Sequence, residues 1–207
     1  MLARIALVLL LPLALSACGV NQIPTLEEQA KADWSQVQNQ YQRRADLIPN
    51  LVETVRGYAD QEREVLREVV EARASASQIQ INTDDLTNPA LVQQFNAAQD
   101  KLTGALGRLL VTVERYPDLK SNQNFLQLQS QLEGTENRIA VARRDYIDAV
   151  RRYNTELKTF PGRLWAATLY SGNEPMATFE IPQENFSPPQ VDFGRTPNAP
   201  AQPQNAN

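Results

Sequence analysis

The chain offers very few side chains with reactive chemistry. It has one cysteine, Cys18, and no histidine in 207 residues. Histidine is the commonest general base and the commonest transition-metal ligand, so neither role is open through it. Cys18 closes an apolar run that begins at Ile5 and passes through the small residues Ser16 and Ala17. Its thiolate is the strong nucleophile among side chains. With Cys18 modified, no free thiol and no intrachain disulfide remain. The other candidates are charges placed where apolar residues are expected. Arg44 and Glu62 interrupt an apolar helix seam, and Glu136 and Arg138 on a later helix are possible partners. Core charges are costly unless paired. Three readings follow: stems that snorkel their heads to water, a polar layer that fixes helix register, or a shallow polar pocket for a ligand. Asp84-Asp85 lacks the ligand count of a calcium loop and reads as a turn. Gly104-x-x-Gly107 lacks the Gly-Lys-Ser/Thr ending of a phosphate loop. No catalytic residue, metal site or cofactor motif emerges. The expectation is a non-enzymatic chain without cofactor, with a carboxylate-based hydrolase as the remaining enzymatic alternative.

The front end positions Cys18. Met1 to Arg4 carries one basic side chain, and Ile5 to Leu15 is apolar apart from Pro12. That is the layout of a secretory signal, and it is about half the roughly 20 residues a membrane-spanning helix needs. Leu15-Ser16-Ala17-Cys18 resembles a bacterial lipobox. The resemblance implies a diacylglyceryl group on the Cys18 sulfur, cleavage before it and acylation of the new amino terminus. Two or three acyl chains give stable attachment, at about 0.8 kcal/mol per buried methylene. An ordinary secretory signal ending in a cysteine is the alternative. Gly19 after the cysteine favours the outer over the inner membrane by the same resemblance.

Loss of Arg4 with the signal takes the net charge from −4 to −5. An acidic chain lacks the electrostatic footprint of a nucleic-acid binder. Arg43-Arg44, Arg143-Arg144 and Arg151-Arg152 are each offset by nearby acids, so a solvated helix face outweighs contact with anionic lipid.

The remainder reads as helices. Thr25-Leu26-Glu27-Glu28 has the form of a capping box. A seam spaced 3 and 4 then runs from Trp34 to Ile79, apolar or aromatic except at Arg44 and Glu62. It keeps its phase across Pro49, which predicts a kink in one long helix, with a reversal there as the alternative. Asn88-Pro89 opens a second helix, in which Gly104 and Gly107 suggest close helix approach. A third runs from about Asn122 to Phe160. Leu164 and Trp165 are expected to cover the bundle end. The fold class is therefore all-α: an antiparallel bundle of long amphipathic helices, three with the first kinked at Pro49 or four if it breaks there, plus a short C-terminal extended segment. The divisions are a lipoprotein signal peptide at 1–17, a lipidated tether at 18–25, the bundle at 26–171, an extended segment at 172–194 and a disordered tail at 195–207. Seven of the thirteen prolines fall after Gly172, which is why the tail is set apart.

Several blocks resemble the signature of the LemA family. They are Arg43-Arg44-Ala45-Asp46-Leu47-Ile48-Pro49-Asn50-Leu51-Val52, Leu102 to Leu109, Tyr116-Pro117-Asp118-Leu119-Lys120, Asn124 to Gln129, Thr135 to Ala140, Tyr153-Asn154 and Phe160-Pro161. The likeness covers about Gln29 to Phe193. It implies a helical bundle on a bacterial membrane, exposed outside the cytoplasm, and brings no catalytic residue. Typical members look anchored by a membrane helix, whereas this chain carries a lipobox. The resemblance also implies frequent gene neighbours that encode envelope metalloproteases or a small membrane-linked phosphatase-like domain, which suggests an accessory role and a partner such as a membrane protease. The functional expectation is a lipid-anchored scaffold or adaptor in the cell envelope, facing the periplasm. A sensor or binding module for a small molecule or cell-wall ligand is the alternative.

Overall fold

A computed structural model describes residues 19–179. The predicted signal, Cys18, the end of the extended segment and the tail at 195–207 lie outside the described residues. Six helices follow one another: α1 (Gln22–Arg56), α2 (Arg63–Gln78), α3 (Pro89–Val113), α4 (Pro117–Lys120), α5 (Gln123–Lys158) and α6 (Gly162–Thr168). A single 3-10 turn at Thr83–Asp85 joins α2 to α3. Among the described residues there is no strand, and the architecture is the expected helical bundle.

The first helix starts earlier than the capping box suggests. Pro24 occupies its third position, in the first turn, where backbone N–H groups have no helical partner to lose. Asn21 is the residue before the helix, and the Thr25 hydroxyl donates back to its carbonyl (2.7 Å) instead of capping. Ile23 is fully buried.

Pro49 neither ends α1 nor turns the chain. It lies inside a continuous helix of 35 residues. A proline cannot donate to the carbonyl four residues back, here that of Ala45. That carbonyl is taken by the Arg73 Nε of α2, at 2.7 Å. The reversal comes instead at residues 57–62, where backbone bonds Gly57 to Glu53, Ala59 to Val55 and Glu62 to Ala59 form tight turns. Four long helices result, with the fourth produced by a break eight residues past the predicted place. This also removes the length mismatch that one helix from Thr25 to Ile79 would have had with its partners. Glu62, Val65 and Val69 keep the spacing of the preceding seam, so periodicity alone passes through the turn unseen.

Side-chain caps hold the other helix starts. Asn88 accepts from the Ala90 N–H (3.0 Å), and Asn122 accepts from Asn124 and Phe125 (2.9 and 3.1 Å). Gly104 and Gly107 do not mark close approach: a Cβ on Gly104 would meet only the end of Arg108, and one on Gly107 would meet open space. The glycine that matters is Gly162, where a Cβ would sit 2.3 Å from the Glu156 carbonyl oxygen.

The long helices α1 and α5 run side by side, and α2 and α3 pack as a second pair. The core divides into two clusters. The distal cluster holds Ile48, Leu51, Val55, Leu66, Val69, Leu102, Leu109, Leu119 and Phe125, contributed by α1 to α5. The basal cluster lies toward the start of α1 and the end of α5. It is built on Trp34, Tyr41, Phe95, Tyr146, Tyr153, Met176 and Phe179. Here the predicted extended segment closes the bundle as a strap. Asn154 donates to the Met176 carbonyl (2.8 Å) and accepts from its N–H (2.9 Å), so one side-chain amide pairs with backbone as a neighbouring strand would. Tyr146 donates to the Ala177 carbonyl (2.7 Å) and the Ala177 N–H donates to that of Leu86 (2.8 Å).

Candidate functional site

Arg44 is the organising residue of the interior. One face of α1 carries Tyr41, Arg44 and Ile48, all buried, because the seam spacing points them at the same partners. The Arg44 side chain is 1% exposed. Its Nη1 donates to Glu136 Oε1 (2.8 Å) and Thr103 Oγ1 (2.9 Å). Its Nη2 donates to Gln99 Oε1 (2.7 Å) and to the Gln99 carbonyl (3.3 Å). The guanidinium also stands 5.0 Å from the centroid of the Tyr41 ring. Gln99 is buried in turn and extends its amide toward the Ala76 carbonyl of α2, at 3.4 Å. Thr103 donates to the Gln99 carbonyl (3.0 Å). One layer therefore touches α1, α2, α3 and α5. It falls between the two apolar clusters: Tyr41, Phe95 and Ile139 lie on one side, and Ile48, Leu102 and Leu132 on the other.

This geometry decides among the readings of Arg44. Its head does not reach water, so it does not snorkel. Glu136 is 43% exposed and keeps part of its hydration, which makes the ion pair cheaper than one buried on both sides. Arg44 Nε has no acceptor among the described residues.

The other predicted charges lie elsewhere. Glu62 sits at the distal end, where it accepts from Arg115 (3.0 Å) and from the Tyr116 hydroxyl (2.7 Å). Gln61 donates to that same hydroxyl (2.8 Å). Glu62 thus pins the α1–α2 turn to the end of α3 and has no contact with the Arg44 layer. Arg138 is exposed and lines an open groove between α1 and α5 with Asp33, Gln36, Gln40 and Val141. Of the four candidates, the structure joins only Arg44 and Glu136. Gln99 and Thr103 complete the layer, and neither carries a charge that would have drawn notice.

Two of the three arginine pairs separate in the fold, while Arg151 and Arg152 are both exposed. Arg44 turns inward while Arg43 is exposed, and Arg143 lies 4.4 Å from the Phe179 ring centroid while Arg144 faces solvent beside Asp145. Asp84 and Asp85 lie in the 3-10 turn, Asp84 at 3.5 Å from Lys31 and Asp85 bonded to Asn82. Among the described residues no group of three or more acids, histidines or cysteines could hold a metal.

A cleft of about 270 Å³ opens beside the polar layer, between α1, α2 and α3. Gln38, Asn39, Gln42, Gln80 and Gln99 supply amides, and Tyr41 and Phe95 supply ring surface. The sequence signal for it was the run of amides around Tyr41. Burial pushes the phenols of Tyr41, Tyr146 and Tyr153 above their ordinary range, since the phenolate would be the form stripped of water. These hydroxyls stay protonated at neutral pH, and those of Tyr146 and Tyr153 act as donors to the strap.

The sequence model of the LemA family matches residues 33–193. The chain belongs to the LemA family. This stretch takes in the whole polar layer and the whole distal cluster, and all of the basal cluster except Ile23 and Ala30. Among similar proteins, Magnetosome protein MamQ 2 of Paramagnetospirillum magneticum is 28% identical over 159 residues, covering 68% of this chain and 58% of that protein. Magnetosome protein MamQ of Magnetospirillum gryphiswaldense is 27% identical over 159 residues, with the same coverage. Protein LemA of Metamycoplasma hominis is 27% identical over 126 residues, covering 61% of this chain and 53% of that protein. The chain spans a little over half the length of these relatives. Among the described residues, no helix is long and apolar enough to cross a membrane.

Proposed function

We propose that this LemA-family chain is a membrane-held, non-catalytic scaffold or adaptor in the bacterial envelope, tethered by lipid at Cys18 and facing the periplasm. The observation that carries the reading is how the interior charge is used. All four hydrogen bonds from the Arg44 head go to helices of the same bundle. The most unusual polar group of the fold is spent on aligning helices, leaving the outer faces as the working surface. Exposed apolar side chains stand on the distal half at Tyr58, Val111 and Leu126. Tyr58 and the cap of α5 are joined through Asn122 (2.8 Å), so this end is an ordered platform. A partner such as a membrane protease would meet this end.

The test is photo-crosslinking in intact cells with a reactive amino acid at 58, 111 or 126, and at 152 as a basal control. The reading expects one defined adduct from the distal positions that is absent at 152. Identical or absent adducts at all four positions would sink it. Labelled palmitate incorporation into the wild type, lost in Cys18→Ala, tests the tether itself.

The amide-lined cleft supports a second reading, a binding module for a neutral polar ligand such as a cell-wall sugar. Amide groups with adjacent ring faces suit hydroxyl-rich ligands. A melting shift with muropeptide fragments, abolished by Gln42→Ala, would favour it over the scaffold.

A further inference from the structure

The two ends of the bundle differ in what they expose. At the basal end, Phe160 is 85% exposed, Leu164 52% and Leu169 64%. They occupy the turn after α5, the short helix α6 and the residue that follows it. Leu164 was expected to cover the bundle end, and it faces outward instead. α6 packs on α5 and touches α1, so it is fixed to the bundle. Lys158 and Arg163 are exposed beside the apolar residues, and neither has an ion-pair partner among the described residues. Glu156 is half-buried there and lies against Gly162.

The amino terminus of the described chain arrives at this same place. A Cβ on Gly19 would lie 3.2 Å from Pro161 Cγ and 3.6 Å from Trp165 Nε1. The residue that follows Cys18 is thus packed against the segment that displays the exposed apolar groups. The Trp165 ring is half-buried, and its N–H is buried without an acceptor among the described residues.

We propose that Phe160, Leu164 and Leu169 form a docking face by which the bundle rests on the lipid surface that its amino terminus is tethered to. The proposal rests on the tether at Cys18. A tether that short holds the face at high effective concentration against the bilayer, so a small patch suffices. Apolar side chains enter the headgroup boundary while flanking cations meet anionic headgroups. Trp165 packs between this face and Gly19 with its N–H buried, so its half-buried ring reports lipid contact at the patch. The bundle then stands in a fixed orientation, distal end away from the membrane.

The test uses the full chain purified from membranes and reconstituted into phosphatidylcholine–phosphatidylglycerol vesicles, with and without acyl chains brominated near the headgroup. Trp34 is fully buried roughly 18 Å along α1 from its start, so contact quenching reads Trp165. The expected result is quenching in the wild type, its loss in Trp165→Phe, and its loss in F160S/L164S/L169S while that variant still floats with the vesicles. A second arm measures amide exchange in residues 160–170, which is slower on vesicles than in the Cys18→Ala protein free in solution. If the chain floats but Trp165 is not quenched and exchange is unchanged, the docking face is overturned and the tether stands. If the chain does not float, the tether fails and the docking face with it. If quenching is absent and the purified protein is a dimer that the triple variant breaks, the face meets a second copy and the proposal is wrong.

Discussion

The basal and distal halves solve the same packing problem with different materials. In the distal half four helices surround an aliphatic core, and Phe125 is its one fully enclosed ring. In the basal half α1 and α5 continue, α2 has ended and only the first turns of α3 remain. The gap is filled by aromatic bulk and by the strap. Trp34 has ring centroids of Phe95, Tyr146 and Phe179 at 5.2, 5.1 and 5.7 Å. Its indole N–H, at 3.3 Å, and the Gln38 amide, at 3.0 Å, both donate to the Ile81 carbonyl, which ties down the α2–α3 connection. Where helices are missing, large rings and a pinned backbone segment supply the burial that helix faces supply elsewhere.

That contrast can be broken most severely at Phe179. Phe179→Ala removes a ring stacked on Trp34 and edge-on to Tyr146 and should cost about 4 kcal/mol. Exchange measured by mass spectrometry should show the loss in residues 140–157 and 174–179 and leave α2 unchanged. Equal loosening of both halves would mean the clusters are one cooperative unit.

Arg44→Met comes next, at about 3 kcal/mol, because it strands the buried Gln99 amide. Replacing the layer wholesale, Arg44→Met with Gln99→Leu and Glu136→Leu, should recover most of that in urea denaturation. No recovery would show that the layer stabilises rather than aligns.

Arg73→Met is expected to cost about 2 kcal/mol by orphaning the Ala45 carbonyl. In a Pro49→Ala background the helix supplies its own donor, and the same change should cost well under half as much. Additive effects would refute the compensation.

The halves should also part in alkali. The three tyrosines raised by burial all belong to the basal cluster. An unfolded tyrosine ionises near pH 10. Below that the folded state keeps the full contribution. Above it the unfolded chain releases protons that the folded chain retains, so stability falls as pH rises. Trp34 emission and tyrosinate absorbance should change in one step. The smallest effect, about 0.5 kcal/mol, is expected for Glu62→Gln, whose partner Arg115 is largely solvated.

Much of this was legible in periodicity. The seam from Trp34 to Val55 is buried as its spacing requires, and Glu136 was one of two possible partners offered because a buried charge needs an opposite one, beside the snorkelling and pocket readings. Gln99 escaped notice because it is neutral. Arg73 escaped because its role exists only once α2 folds back on α1. The turn at 57–62 escaped because the apolar phase continues through it. Each miss depends on a contact between segments distant in sequence, which local pattern does not encode.

The jointless run of α1 has a further consequence. From Gln22 to Arg56 it rises roughly 52 Å. Under the docking proposed above, with α1 upright on the lipid surface, this sets an altitude: a partner of Tyr58, Val111 or Leu126 would stand about five nanometres clear of the bilayer. Short ectodomains lie beneath that horizon, and only tall ones come level with it.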